Sequence, residues 1–267
     1  MSTYTDDLRL AHVLADTVER ITMPRFKSTN LSVNTKPDMT PVTDADIDAE
    51  ELIRGQLARV RSRDRVVGEE GGTTGTGSRR WIIDPIDGTE NYVRGVPVWA
   101  TLIGLYDGDD PVVGVVAAPA LGRRWWAAQG AGAYTGRSLS SATPIHVSQV
   151  ASLSDASLSY SSLKGWKEKG RLDSFLELNE AVWRSRAYGD FWSYMLLAEG
   201  AVDVAVEPSL EVYDMGALVP IVLEAGGRFT GLDGQDGPWS GNAVATNGQL
   251  HESVLARIGD DSPGARA

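Results

Sequence analysis

The sequence predicts a layered α/β fold of the α+β type, and three patterns support this prediction. Apolar runs of strand length follow one another between residues 98 and 134, separated by turns containing Gly or Pro, which is typical of strands in one sheet. After residue 150, strand-like and helix-like segments alternate, which favours an α/β layer in that part of the chain. The N-terminal residues show the spacing of amphipathic helices.

Two helices are predicted before the first sheet. Apolar residues recur at spacings of three and four over residues 6–26, which indicates a helix with one buried face. A polar, proline-containing segment follows and predicts a loop. Thr43 or Asp44 can serve as the N-cap of a second helix over residues 45–61.

The remaining elements are predicted from apolar runs and turn residues. "RVVGEE" is expected to be a short strand, and the Gly- and Thr-rich residues 71–78 a mobile loop. Trp125 and Trp126 are consecutive on a predicted strand, so their rings should lie on opposite faces of a sheet. "YDMGALVPIVLEAGG" is predicted to be one helix that ends on glycines suited to a C-cap.

The chain is expected to form one compact unit with two halves. The polar segment "SSATPIHVSQV" is the candidate boundary between them. We therefore expect an N-terminal α+β half over residues 1–147 and a C-terminal α/β half over residues 148–267. No flexible linker separates the halves, which argues against two independent domains.

Composition excludes several classes of function. The net charge of −11 argues against a nucleic-acid surface, because phosphate backbones are bound by Lys and Arg. The absence of cysteine excludes disulfides and thiolate metal sites, and three scattered histidines argue against a zinc site built from histidine. With neither a signal-peptide pattern nor an apolar run long enough for a membrane span, a cytoplasmic protein without a membrane partner is predicted.

The stretch "WIIDPIDGTENY" carries the strongest indication of chemistry. Asp84 and Asp87 flank a turn at the end of an apolar strand, and Glu69 ends the preceding strand. If these strands are neighbours, the three carboxylates converge, repel one another and raise their own pKa values. The positive charge of a bound divalent cation offsets that repulsion, and Mg²⁺ in particular prefers oxygen ligands. The carbonyl of Ile86 can point inward beside the two aspartates as a further ligand.

The residues after Asp87 suit a phosphate group. Gly88 allows close approach of the backbone, and Thr89 can open a short helix whose free N–H groups bind anions. The hydroxyl of Thr89 can also hold an attacking water. Taken alone, however, an Asp-Pro-x-Asp-Gly string is also typical of an ordinary turn, and two adjacent glutamates are typical of a solvated loop edge.

Three motifs in order, "VVGEEGG", "WIIDPIDGTENY" and "VYDMGALVPIVLEAGG", resemble those of the inositol monophosphatase family over nearly the whole chain. The resemblance implies lithium-sensitive, Mg²⁺-dependent phosphomonoesterases with an α-β-α-β-α sandwich of the inositol monophosphatase and fructose-1,6-bisphosphatase type. It also implies two or three Mg²⁺ ions, with Mn²⁺ as a substitute, and a homodimer. Tyr213 departs from the family, which usually has Trp at this position.

The resemblance also implies roles for individual residues. The implied metal ligands are Glu69, Asp84, the Ile86 carbonyl, Asp87 and Asp214, with Asp46 of "PVTDAD" at a further, weaker site and favoured over Asp44. Glu69 and Thr89 would orient a water that attacks the phosphate directly. Asp87 would pass a proton to the leaving group through water.

The substrate is expected to be a small phosphorylated metabolite. Segments such as "RAYGDFWSY" resemble the histidinol-phosphatase branch of the family, which implies hydrolysis of L-histidinol phosphate in histidine biosynthesis. The expected substrate-binding residues are Ile86, Asp87, Gly88, Thr89, Arg186, Asp190, Glu207 and Asp214. Arg186 can alternatively pair with Asp190. Inositol 1-phosphate or another small phosphate ester is the alternative substrate, and a non-catalytic metal- or phosphate-binding regulator is the alternative class.

Overall fold

A computed structural model describes residues 4–29, 31–36 and 41–260. The helices are α1 (Thr5–Arg25), α2 (Asp44–Val60), α3 (Thr89–Arg94), α4 (Leu163–Glu168), α5 (Leu172–Ala181), α6 (Asp190–Ala198), α7 (Val212–Met215), α8 (Leu218–Glu224) and α9 (His251–Ile258). The strands are β1 (Val33–Thr35), β2 (Pro41–Thr43), β3 (Arg65–Gly68), β4 (Gly72–Thr74), β5 (Arg79–Asp87), β6 (Ala100–Asp107), β7 (Asp110–Ala118), β8 (Arg123–Ala128), β9 (Ala133–Gly136), β10 (Thr143–Ile145), β11 (Ser157–Ser159), β12 (Arg184–Arg186), β13 (Val204–Glu207), β14 (Arg228–Thr230) and β15 (Ala243–Thr246).

Two large sheets organise the described part of the chain. The first has eight strands in the order β10-β9-β8-β7-β6-β5-β3-β4, and only its β3–β5 pair is parallel. The second has five strands in the order β12-β11-β13-β15-β14, with a parallel half and an antiparallel half. The predicted boundary at residues 147 and 148 lies in the segment between the two sheets; that the halves act as one unit stays a prediction.

Helices cover both faces of each sheet and so form five layers. Helices α1 and α2 pack on one face of the first sheet, while α6 and α8 fill the space between the two sheets. Helices α5 and α9 cover the outer face of the second sheet. The predicted α-β-α-β-α sandwich is therefore confirmed. The largest core cluster lies in the middle layer and joins residues of both sheets, such as Leu102 and Ala245.

Several local predictions can be compared directly with the structure. The first two helices begin and end within about one residue of their predicted bounds, and Thr43 caps α2 through a capping box with Asp46. Trp125 and Trp126 are both buried, one in the middle layer and one beneath α1. The prediction of a loop over residues 71–78 is wrong for residues 72–74, because β4 pairs with the edge of β3.

The predicted helix over "YDMGALVPIVLEAGG" is in fact two helices, α7 and α8. Between them, Gly216 lies so close to the first sheet that a Cβ there would be 2.6 Å from Ile82 Cγ2. His251 is buried at the start of α9, and its two ring nitrogens lie at hydrogen-bond distance from the hydroxyls of Thr230 and Thr246. Among the described residues, no helix is long and apolar enough to cross a membrane.

Candidate active site

The parallel pairing of β3 with β5 brings the first acidic residues together. Gly68 is paired with Ile83, and the backbone N–H of Glu69 donates to the Ile83 carbonyl at 3.3 Å. Glu69 and Asp84 therefore leave neighbouring strands at the same edge, as expected if these strands are neighbours. The pairing of β5 with β6 shifts in register between Asp84 and Asp87, which allows both carboxylates to serve one site.

Asp214 reaches this edge because two glycines let backbones approach closely. A Cβ at Gly104 of β6 would lie 2.4 Å from the Gly216 carbonyl oxygen. The Gly104–Gly216 contact and the similarly close contact between Gly216 and Ile82 place the α7–α8 junction directly on the first sheet. Asp214 lies two residues before Gly216, so the same contact fixes its carboxylate beside those from β5.

Asp84, Asp87 and Asp214 form a compact carboxylate cluster. One oxygen from each lies within 4.8 Å of the others. Burial, reinforced by the neighbouring negative charges, raises the pKa of Asp84 and of Asp87 well above the ordinary value. Burial likewise raises the pKa of Asp214 to about 7. Buried, mutually repelling carboxylate oxygens are a donor set that fits a hard divalent cation, which would supply the missing positive charge.

Glu69 lies at the border of this cluster and pairs with a lysine that the sequence reasoning missed. Lys36 Nζ lies 2.6 Å from Glu69 Oε1 and 2.7 Å from Glu70 Oε1. The ammonium group thus balances these two carboxylates in the structure. A single lysine in a polar loop gives no sequence signal, because the pairing depends on how β1 and β2 fold over the sheet edge.

Thr89 is oriented by hydrogen bonds on the other side of the cluster. Its hydroxyl lies 2.9 Å from the Ile86 carbonyl and 3.2 Å from Asp46 Oδ1, and both are acceptors. Asp46 also accepts from the backbone N–H of Thr43 at 2.9 Å and from the Thr43 hydroxyl. Asp46 therefore caps α2 and orients Thr89 in this structure. Its predicted role as a ligand of a weaker metal stays a prediction.

A second acidic pair lies beyond the cluster. Asp190 begins α6 with a φ of 47°, and its Oδ2 accepts from Asn91 Nδ2 at 2.9 Å. Burial, together with the charge of Glu90, raises its pKa to about 6. Burial raises the pKa of Glu207 to about 8, partly offset by hydrogen bonds from Ser161.

These acids line one cavity of about 440 Å³. Its acidic lining residues are Glu69, Asp84, Asp87, Glu90, Asp190, Glu207, Glu211 and Asp214. No Lys or Arg is found among the described residues that line it. In the described part of the chain, Glu207 Oε1 and the Tyr194 hydroxyl are buried without a hydrogen-bond partner. The cavity is thus poised to accept cations.

Most, but not all, of the predicted site residues line this cavity. Ile86, Gly88 and Thr89 do so together with the acids named above. Gly88 has a φ of 80°, which favours glycine, and a Cβ there would also lie 3.0 Å from the Val98 carbonyl oxygen and 3.3 Å from Asp190 Oδ2. Arg186 is not among the lining residues: it is exposed on the edge strand β12 and donates to the Ser185 carbonyl.

Sequence reasoning also missed Asn91 and Ser161, which hold the second acidic pair. Asn91 Nδ2 donates both to Asp190 and to the Val98 carbonyl, at 2.9 Å each. Ser161 Oγ accepts from the backbone N–H of Asp190 at 3.0 Å. Asn91 lies two residues after Thr89 in the stretch "WIIDPIDGTENY", so its position gave a signal that was not used. Ser161 gave none.

Residues 5–261 match the model of the inositol monophosphatase family. The chain belongs to this family. Its members are metal-dependent phosphomonoesterases that act on small phosphorylated substrates, and this chain is an enzyme of that class. The family predicted from the sequence motifs is therefore confirmed.

Relatives and solved structures agree with this membership. The chain is 66% identical to a histidinol-phosphatase of Streptomyces coelicolor, over 97% of this chain and 98% of the relative. It is 56% identical to a histidinol-phosphatase of Mycobacterium tuberculosis, over 95% and 98%. An inositol monophosphatase structure from Zymomonas mobilis superposes with a TM-score of 0.85 at 32% identity, covering 97% of this chain and 99% of that one. One from Anabaena gives 0.83 at 26% identity, with 96% of each chain covered.

Proposed function

We propose that this protein hydrolyses L-histidinol phosphate to L-histidinol and inorganic phosphate with the help of two or three Mg²⁺ ions. Two relatives of high identity over nearly their full length are named histidinol-phosphatase, which supports this substrate. The observation that carries the proposal is the charge of the cavity: its described lining has acids well beyond the metal cluster and no basic side chain.

The second acidic pair suits the organic part of this substrate. Histidinol phosphate carries an ammonium group and an imidazole at a distance from its phosphate. Glu207 is buried and Asp190 half-buried in the same cavity as the cluster, and no described Lys or Arg is in an ion pair with either. A cationic substrate would relieve the cost of burying them.

The proposed metal ligands are Glu69, Asp84, the Ile86 carbonyl, Asp87 and Asp214. Bound Mg²⁺ would offset the negative charge of the phosphate and of the leaving oxygen, and would make a bound water more acidic. We expect Mn²⁺ to substitute for Mg²⁺ and Li⁺ to inhibit.

The chain's own residues would position the water and move its protons. The single proton of the Thr89 hydroxyl can go to Asp46 Oδ1 or to the Ile86 carbonyl, and in either case the oxygen lone pairs remain free to accept from a water. Glu69 would take a proton from that water while the water oxygen attacks phosphorus and the P–O bond to histidinol breaks. The proton taken by Glu69 would then pass through water and Asp87 to the departing alkoxide, which leaves both carboxylates as they began.

Other parts of the assignment rest on resemblance and composition. A homodimer and a cytoplasmic location stay predictions, as does the action of residues 1–147 and 148–267 as one unit. The oligomeric state can be measured by size-exclusion chromatography with light scattering.

Phosphate release from a panel of esters with Mg²⁺ tests the substrate. The panel contains L-histidinol phosphate, inositol 1-phosphate, fructose 1,6-bisphosphate and phosphoadenosine phosphate. We expect a clear preference in kcat/KM for histidinol phosphate. A preference for inositol 1-phosphate would keep the metal site but refute the role of Asp190 in recognising a cation. No turnover of any ester would favour a non-catalytic regulator.

A further inference from the structure

Helix α2 connects the candidate active site to the turn that carries Glu69. Asp46, Glu50 and Arg54 follow one another at intervals of four residues, so they share one face of the helix. Asp46 contacts Thr89 in the active site, as described above. Glu50 and Arg54 contact the turn over residues 68–71, which includes Glu69.

Glu50 satisfies the backbone of this turn. Its Oε2 accepts from the N–H of Glu70 at 2.8 Å, and its Oε1 accepts from the N–H of Gly71 at 2.7 Å. Glu50 is buried, with a relative exposure of 1% for the whole residue. A buried carboxylate that accepts hydrogen bonds from two successive backbone N–H groups fixes the path of the backbone at those two residues.

Arg54 completes the arrangement by neutralising Glu50 and holding the next strand. Its Nε donates to Glu50 Oε1 at 2.7 Å, its Nη1 donates to Thr74 Oγ1 at 2.9 Å, and its Nη2 donates to the Gly72 carbonyl. The guanidinium therefore ties the ion pair to β4. Both ends of the turn are anchored to α2.

The two glycines of the turn provide the space for this ion pair. A Cβ at Gly68 would lie 2.4 Å from Glu50 Oε1, and a Cβ at Gly71 would lie 2.8 Å from Arg54 Nε. Neither glycine has a positive φ, so close packing rather than backbone conformation excludes a side chain. The Gly-Glu-Glu-Gly pattern therefore reflects the presence of Glu50 and Arg54 as well as of the metal site.

We propose that the Glu50–Arg54 ion pair is a positioning device that fixes the orientation of Glu69 and thereby sets the affinity of the site for its divalent cation. This inference rests on the metal site proposed above. Neither residue lines the cavity, so the pair acts through the turn and does not touch the substrate. Residues that orient metal ligands in this way typically contribute 10- to 100-fold to metal affinity.

The test is Glu50→Gln, with Glu51→Gln as the matched control. Glutamine keeps the shape of Glu50 but presents an NH₂ group to one of the two N–H groups of the turn. Glu51 is exposed on the same helix, so its substitution makes the same change in net charge without contacting the turn. We expect Mg²⁺ to bind Glu50→Gln about tenfold more weakly in isothermal titration calorimetry, and Glu51→Gln to match the wild type.

Two further readouts separate positioning from a general loss of stability. Amide hydrogen exchange of Glu70 and Gly71 should accelerate in Glu50→Gln, while that of the α1 core should not. The Mg²⁺ concentration for half-maximal activity should rise, whereas kcat at saturating Mg²⁺ should recover. A loss of kcat that excess Mg²⁺ does not restore would overturn the proposal.

Gly71→Ala perturbs the same contact from the side of the turn and changes no charge. Its effect on Mg²⁺ affinity should resemble that of Glu50→Gln, and the double variant should be less than additive because both act on one contact. If Glu50→Gln does not fold, Gly71→Ala decides alone. Wild-type affinity in the folded variants overturns the positioning role, whereas failure of the wild type to bind Mg²⁺ would refute the metal site itself.

Discussion

Replacing Asp214 by Asn should stabilise the metal-free protein at alkaline pH while removing its response to Mg²⁺. Asp214 lies in the carboxylate cluster, and its Oδ2 accepts from the Glu211 N–H at 2.7 Å. An asparagine oxygen can keep that hydrogen bond. The substitution therefore removes a half-buried negative charge with little change in shape.

The magnitude follows from the pKa of this group. Burial, partly offset by the Glu211 N–H and reinforced by the charge of Glu69, raises the pKa of Asp214 from 3.8 to about 7. Between these values the folded protein binds more protons than the unfolded chain, so stability falls as the pH rises. Above pH 7 the full penalty is present, and a gap of about three pKa units corresponds to about 4 kcal/mol.

Urea unfolding in EDTA at pH 4 and pH 8, followed by circular dichroism, measures this effect. We expect the free energy of unfolding of Asp214→Asn to exceed that of the wild type by up to about 4 kcal/mol at pH 8, with little difference at pH 4. Adding Mg²⁺ should stabilise the wild type at pH 8 but not the variant. A variant no more stable than the wild type at pH 8 would refute the view that the cluster is strained by its own charge.

Three further predictions concern separate residues. Asp84→Asn should abolish Mg²⁺-dependent turnover with near wild-type circular dichroism, and an active variant would disprove the site. Asp190→Asn should lower kcat/KM for histidinol phosphate about tenfold or more but leave p-nitrophenyl phosphate unaffected, because it removes a charge-assisted contact to the organic part; equal losses would make Asp190 structural. Burial lowers the pKa of His251 from 6.5 to about 4. The contribution of His251 to stability should therefore fall by about 3 kcal/mol as the pH falls from 6.5 to 4, and the difference in unfolding free energy between the wild type and His251→Gln, measured by urea titration at both pH values, should change by this amount.

The sequence predicted those parts of the site that depend on strand ends and local motifs. Asp84 and Asp87 follow an apolar run on one strand, and Glu69 follows the run before it, so their convergence needed only the pairing of β3 with β5. Asp214 was assigned by resemblance, because its approach depends on the contact of Gly104 with Gly216, which lie 112 residues apart in the chain. Long-range contacts between glycines leave no periodicity to read.

Residues that act through other residues were the hardest to predict from the sequence. Lys36, Asn91 and Glu50 each lie in an ordinary local context, and their importance arises from partners brought near by folding. Arg186 is exposed on the edge strand β12 and does not line the described cavity, so its role in substrate binding stays a prediction. Spacing along the chain indicates which residues share an element, but it does not indicate which way an edge strand faces.

The charge of the cavity links the binding of metal and substrate. With eight acidic side chains and no basic one in its described lining, the cavity supplies negative potential to whatever enters it. A phosphate monoester alone would be repelled, so the cations must bind before or together with the phosphate. The inner acids, Asp84, Asp87 and Asp214, suit the metal ions, and we propose that Asp190 and Glu207 face a positive charge on the ester. An ester whose organic part carries a cation offers its phosphate to the metal ions and its positive charge to the outer acids. We therefore expect a substrate with an ammonium group to be preferred over the phosphate ester of an uncharged sugar.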